Sequence, residues 1–299
     1  MRTWPVKVVR WHMLAGGILT VVVGAAAGYI VSPWAALVGL AVGAGYLGWS
    51  TRRYVRRKRM VATPFPEAWR TILEGKVPFF RRLPEAGKRR FQDDVRIFVS
   101  EHRIAGLRGA PVSDDVQLLI GASAAMLTFG MPDWEWPRMR DIVVYPGSFD
   151  EEYAIHGGGT IAGMVHAQGP ILLSEKALRH GFARPSDGQH VGLHELAHVM
   201  DFVNGAADGI PAAHDWVSTA PWVELMAERL VRVRSEQGQR VLRSYAGKNE
   251  AELFAVAVEV FFEKPAELRK LDPELFAMLE DYFGYDPEEP SMALSSLEP

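Results

Sequence analysis

From Met13 to Val31 the chain carries no charged residue, and after Ser32-Pro33 the stretch Trp34 to Ser50 again carries none. Each run approaches the ~20 residues that a helix needs to cross the hydrocarbon core of a bilayer. The pair reads as a two-helix transmembrane hairpin covering about 12–31 and 34–50, turned at Ser32-Pro33. A second apolar run directly behind the first argues against a cleaved signal peptide. Arg2, Lys7 and Arg10 precede the pair, Arg52, Arg53, Arg56, Arg57, Lys58 and Arg59 follow it, and the turn carries no basic residue. By the positive-inside rule both termini and the rest of the chain then face the cytoplasm, an inner (plasma) membrane, multi-pass arrangement. Trp4, Trp11, Trp49 and Tyr54 fall near the inner interface, and Tyr29 and Trp34 near the outer one. Gly24-x-x-x-Gly28 and Gly39-x-x-x-Gly43 give each helix a smooth strip for close approach. The basic run could also attract anionic lipid headgroups.

This divides the chain into a membrane anchor over 1–60 and a single domain over 61–299, joined by the linker Val61 to Pro66. A net charge of −3 offers no argument for direct nucleic-acid binding. The absence of cysteine excludes thiolate metal sites, disulfides and thiol nucleophiles.

Within the soluble part, His194-Glu195-Leu196-Ala197-His198 has the H-E-x-x-H pattern. Residues four apart on a helix share a face, so His194 and His198 can present imidazoles to one metal ion, with Zn²⁺ the natural choice. Glu195 is then placed to take a proton from water, and Asp201, three residues after His198, to accept a ring N–H and fix its tautomer. Leu193, Leu196, Ala197, Val199 and Met200 cover the other faces, which predicts a buried helix whose imidazoles need partners. His190 could be a fourth ligand or a substrate contact; an N-terminal helix position in solvent is the plainer reading.

Three helices precede this motif: Pro66 to about Glu74, Pro84 to about Glu101, and one capped by Ser113-Asp114-Asp115 that stops near Gly130. Asp141–Pro146, Thr160–Val165 and Pro170–Ser174 read as strands, the edge of which could pair with an extended peptide. Gly157-Gly158-Gly159 reads as a flexible rim, with His156 and His166 as rim residues. Trp222 to Arg234 is a helix with Leu225, Met226 and Leu230 inward and Glu224, Glu228, Arg229 and Arg232 outward.

The stretch Ser244 to Phe262 reads as a loop followed by a strongly apolar helix. Glu252 and Glu259 lie two turns apart on one face of it, where carboxylates need a reason. Glu250 competes for the role of third ligand, although an acid in a first helical turn is favoured by the dipole alone. Glu252 is preferred as ligand and Glu259 as partner to a ligand imidazole, a partly exposed charge at the far end being the rival reading. Two His and one Glu leave a position for water or a substrate carbonyl, and Tyr245 could reach an oxyanion or serve as an ordinary core tyrosine.

Gln168-Gly169-Pro170-Ile171-Leu172-Leu173, His194 to Asp201, and Tyr245-Ala246 followed by Ala251 to Val256 with Glu259-x-Phe261-Phe262 together resemble the Mlc titration factor A family of zinc peptidases, over about Phe65 to Pro287. The resemblance implies a gluzincin-like catalytic domain with His194, His198 and Glu252 on zinc, Glu195 as general base and Tyr245 as oxyanion donor. It favours Glu252 over Glu250. It also implies peptidase activity of aminopeptidase type and, in some members, binding of a glucose-responsive transcriptional repressor. The membrane hairpin is a departure from the soluble members of that family.

The fold expected is therefore α+β: a helical layer, a small mixed sheet, and a zincin-like pairing of the H-E-x-x-H helix with the Glu252 helix. The expected function is hydrolysis of a peptide or protein substrate. The alternatives are a membrane-tethered regulatory binder with a structural zinc site, which a closed fourth position (His190 on the metal) would favour, and a stress-related protease acting on bilayer-proximal proteins.

Overall fold

The computed structural model describes residues 5–137, 141–146, 170–204, 208–211, 216–235 and 241–290. The chain divides into two compact units, Met1–Phe65 and Pro66–Pro299.

In the first unit, helix α1 (Val6–Ile30) and helix α2 (Leu37–Val61) flank a short 3₁₀ turn at Pro33–Ala36. Pro33, with no N–H to donate, cannot continue the first helix. The two helices pack through small residues: a methyl group on Gly39 would overlap Thr20 O and the Gly24 backbone, and one on Gly43 would overlap the Thr20 side chain. His12 Nδ1 lies 3.1 Å from the Tyr46 hydroxyl across the same seam. Leu14, Ile18, Val21 and Val22 face outward, largely exposed. Among the described residues only α1, over Val8–Ile30, is long and apolar enough to cross a membrane. Helix α2 does not end near residue 50 as expected but continues through the basic run, because Arg and Lys are good helix formers and an exposed charge does not break a helix.

The second unit is mostly helical. Helices α3 (Glu67–Lys76), α4 (Pro78–Arg82) and α5 (Glu85–Glu101) lead into β1 (Ile104–Gly106), and α6 (Asp114–Leu127) precedes β2 (Ile142–Tyr145) and β3 (Ile171–Ser174). Then follow α7 (Glu175–Ala183), α8 (Val191–Asp201), α9 (Trp216–Arg234), α10 (Glu250–Glu263), α11 (Pro265–Leu271) and α12 (Pro273–Phe283). The strands form one sheet in the order β1-β2-β3, with Ile104 opposite Ile142 and Ile142 opposite Ile171. Both pairings are parallel, so the mixed sheet expected from sequence is corrected to a parallel one among the described residues. β1 was not anticipated: three residues are too few to show a period. The expected strand at 160–165, together with His156, His166 and Gly157 to Gly159, lies outside the described residues.

Helices α6 and α10 are buried on nearly every face, as helices apolar all round must be. Helix α6 packs on α5 and on α8, and α8 packs on α10, so the H-E-x-x-H helix is held between two core helices. The approach of α8 to α6 depends on Gly192, where a methyl group would overlap Ser123 Oγ. On α9, Leu225, Met226 and Leu230 are buried as expected, but Arg229 is also buried rather than outward. Its guanidinium forks onto Asp272 at 2.6 and 2.9 Å and reaches Glu274 at 2.8 Å, which is what permits a charge to be buried there.

Candidate metal centre

Helix α8 is capped by the residue before it, His190, whose Nδ1 accepts the Leu193 N–H at 3.3 Å. The His190 backbone N–H donates to Glu259 Oε1 at 2.8 Å, and its ring packs edge-on against Phe182. Burial lowers this imidazole to about 4. His190 therefore does not close a fourth ligand position; its lone pair is taken up in capping the helix, and it is buried rather than in solvent.

One turn along α8, His194 and His198 stand with their rings 4.8 Å apart and their Nε2 atoms 3.2 Å apart. Glu252 comes to the same point from α10, whose N-terminus is capped by Asn249 Oδ1 accepting the Glu252 N–H at 2.8 Å. Glu252 Oε2 lies 3.2 Å from His194 Nε2 and 3.4 Å from His198 Nε2, buried without a hydrogen-bond donor. Its other oxygen accepts the Tyr245 hydroxyl at 3.0 Å. Glu250, the competing residue, is exposed at the first position of α10.

Glu259, two turns further, is fully buried with Oε2 3.2 Å from His194 Nδ1. The guanidinium of Arg243 bonds the same oxygen. Nothing in the sequence pointed to Arg243, since a lone arginine in a loop has no periodicity to set it apart.

The donor set fits a divalent cation. With Nδ1–H donated to Glu259, His194 presents a lone pair at Nε2, and that lone pair faces a carboxylate oxygen and a second imidazole nitrogen. Ligands held ~2.0–2.1 Å from one tetrahedral ion stand roughly 3.3–3.4 Å from each other, close to the three separations found. The surroundings favour positive charge at that point. Burial lowers the His194 imidazole, but Glu259 and Glu252 override it and raise it to about 10. Burial likewise opposes ionisation of Glu252, yet His194 and His198 hold it well below the usual carboxylate range.

Glu195 sits beside these residues on α8, half-buried. Desolvation pushes its carboxyl upward, His194 and His198 pull it down, and Glu252 and Glu259 add to the rise. Tyr245 is pushed well above the ordinary phenol range, first by burial and then by Glu252. Asp201 differs from expectation. Among the described residues its hydrogen bond is from the Gly209 N–H at 3.1 Å, not from a ring nitrogen, so it ties the following loop to the end of α8.

A family model described as glucose-regulated metallo-peptidase M90 matches residues 51–284. The chain belongs to the M90 family. Similarity extends to an uncharacterized protein of Synechocystis, 27% identical over 244 residues that cover 78% of this chain and 89% of that one. A second relative, Mlc titration factor A of Pectobacterium atrosepticum, is 23% identical over 235 residues, covering 74% of this chain and 87% of the relative. For an M90 member, the buried cluster of His194, His198 and Glu252, with ligand atoms within 4.8 Å of one another, is the natural place for the metal ion implied by the family's description.

Proposed function

We propose that this M90 protein is a zinc-dependent peptidase of aminopeptidase type. The observation that carries the reading is the convergence of His194, His198 and Glu252 next to a half-buried Glu195. His194, His198 and Glu252 would hold Zn²⁺, which when bound polarises a carbonyl and lowers the pKa of water. Glu195, its carboxyl raised by desolvation, takes the proton of the attacking water and hands it to the leaving amine. The Tyr245 hydroxyl, protonated throughout the neutral range, donates to the oxyanion as charge develops. Glu259 orients His194 and is itself held by Arg243. Asp201 acts further out, steadying the C-terminal end of α8.

The test is Glu195→Gln with metal content measured alongside. Wild type loaded with metal should cleave members of a chromogenic peptide library, and the variant should retain metal while losing roughly 10²–10⁴-fold in rate. A wild type that cleaves nothing the variant leaves intact would overturn the proposal.

A second reading draws on the relative named a titration factor: a membrane-tethered binder of a transcriptional repressor or other partner, with the metal site structural. Under that reading Glu195→Gln captures the partner as well as wild type does and no peptide is cut.

We further propose that residues 1–60 anchor the peptidase domain over 61–299 to the inner membrane, α1 and the apolar part of α2 both crossing and both termini facing the cytoplasm. The exposed apolar side chains of α1 and the basic residues on either side of the pair support this. The chain has no cysteine, so single cysteines introduced at Ser32 and Ala62 can be labelled in intact cells without background. A reagent that cannot cross the membrane should reach the first and not the second.

A further inference from the structure

Helices α3, α4, α6 and α7 line a half-open pocket of about 410 Å³ in the second unit, and none of its lining residues belongs to the His194, His198 and Glu252 cluster. Its volume is in the range of small-molecule sites. Among the described residues three cationic side chains line it, Lys76, Arg81 and Arg179, and no acidic one does. Apolar walls come from Pro78, Leu119 and Phe182.

The cations are held together by a carboxylate outside the lining. Asp115 Oδ2 accepts from Lys76 Nζ at 2.5 Å and from Arg179 Nη1 at 2.6 Å. Arg179 also meets Glu175 at 2.9 Å. Hydrogen bonding from Arg179 keeps Asp115 well below the usual carboxylate range, so it remains an anion that spaces the two cations. Arg81 is fixed through Nη1 by the carbonyl oxygens of Glu74 and Gly75 at 3.4 and 3.3 Å. Among the described residues Arg81 has no carboxylate partner, and Lys76 spends one of its three N–H groups on Asp115. Unused N–H groups on three cationic lining residues beside an apolar wall suit an anion carrying an apolar body.

We propose that this cavity binds a small organic phosphate, its dianionic head on Lys76, Arg81 and Arg179 and its apolar portion against Leu119 and Phe182. With Asp115 and Glu175 already taking up part of the charge, it is the number of unused N–H groups on Lys76, Arg81 and Arg179 that suits the several acceptor oxygens of a phosphate better than the two of a carboxylate, and a fully polar ligand would leave the apolar walls unused. This inference stands independently of the peptidase reading.

The test is isothermal titration of the purified full chain, in a non-ionic detergent, with phenyl phosphate, inorganic phosphate and benzyl alcohol. Phenyl phosphate should saturate one site and bind more tightly than either of the other two. Arg81→Gln should weaken it about ten-fold or more, the scale of one charge-assisted hydrogen bond, and Arg82→Gln, a neighbouring surface change, should not. Arg81 is exposed, so its loss leaves the core intact. Absence of saturation, or saturation that Arg81→Gln leaves unchanged because the anion sits elsewhere, would overturn the assignment. Equal affinity for inorganic phosphate would overturn the apolar part of it.

Discussion

Glu259 Oε2 stands 3.2 Å from Nδ1 of His194, a residue 65 positions earlier in the chain. That one contact sets which ring nitrogen of His194 keeps its proton and so which one faces Glu252 and His198. The other oxygen of Glu259 holds the His190 N–H, so the same carboxylate also anchors the start of α8. Glu259→Gln should weaken metal binding by ~10–100-fold, the usual range for losing such an orienting partner. Competition with a chromophoric chelator measures it, and an affinity within two-fold of wild type would remove the role from Glu259.

Tyr245 donates to Glu252 Oε1 and sits beside the proposed reaction centre. Tyr245→Phe should lower kcat by about 10²-fold while KM and metal content change little, as expected for a donor that acts in the transition state. Steady-state kinetics with metal analysis separates this from a purely ligand-steadying hydroxyl, whose loss would show first as lost metal.

Glu263, at the end of α10, is buried with Oε2 lacking a hydrogen-bond partner. Desolvation, with Asp187 and Glu259 nearby, pushes its carboxyl up to about 9. A carboxyl that holds its proton more tightly folded than unfolded gives its full contribution to stability below about 4.5, and that contribution drains away as pH rises toward 9. Glu263→Gln should therefore flatten the alkaline loss of stability, melting above wild type at pH 8 by a few degrees, on the order of 2–4 °C per kcal/mol. Thermal scans of the two proteins at pH 5 and pH 8 check it; parallel curves would refute it.

Gly192 brings α8 against α6, where Ser123 Oγ and Leu178 Cδ1 leave no room for a side chain. Gly192→Val should destabilise the second unit by about 1–3 kcal/mol through overpacking and displace the imidazoles with the helix. Urea unfolding gives the first effect and metal affinity the second. An unaltered midpoint would show that α8 can shift at little cost.

Much of the candidate site was legible before any coordinates, because its parts obey local rules. Four-residue spacing places His194 and His198 on one helix face, and two carboxylates in an otherwise apolar helix marked Glu252 and Glu259 as residues with partners to find. The parts that misled were those decided by neighbours. Asp201 has the right spacing for an imidazole partner, yet its carboxylate turns to the Gly209 N–H. Arg229 follows the pattern of an exposed charge, yet Asp272 lies where it can be neutralised inside. β1 is too short to carry an alternation and exists only because Ile142 lies beside it.

The sequence by itself determined several of the helices, among them α3, α5, α6, α8 and α10, and which side chains have chemistry to offer, since these follow from contacts within a turn or two of backbone; it did not show α4, α7, α11 or α12, and Ser113 makes no side-chain cap bond to α6. Only the tertiary structure decided that Glu252 Oε2 meets both imidazoles, that Arg243 reaches Glu259, and that His190 spends its lone pair on a helix cap rather than on a metal. Each of those outcomes depends on how α8 and α10 pack, and packing is settled by the whole core at once rather than by any stretch of chain read alone.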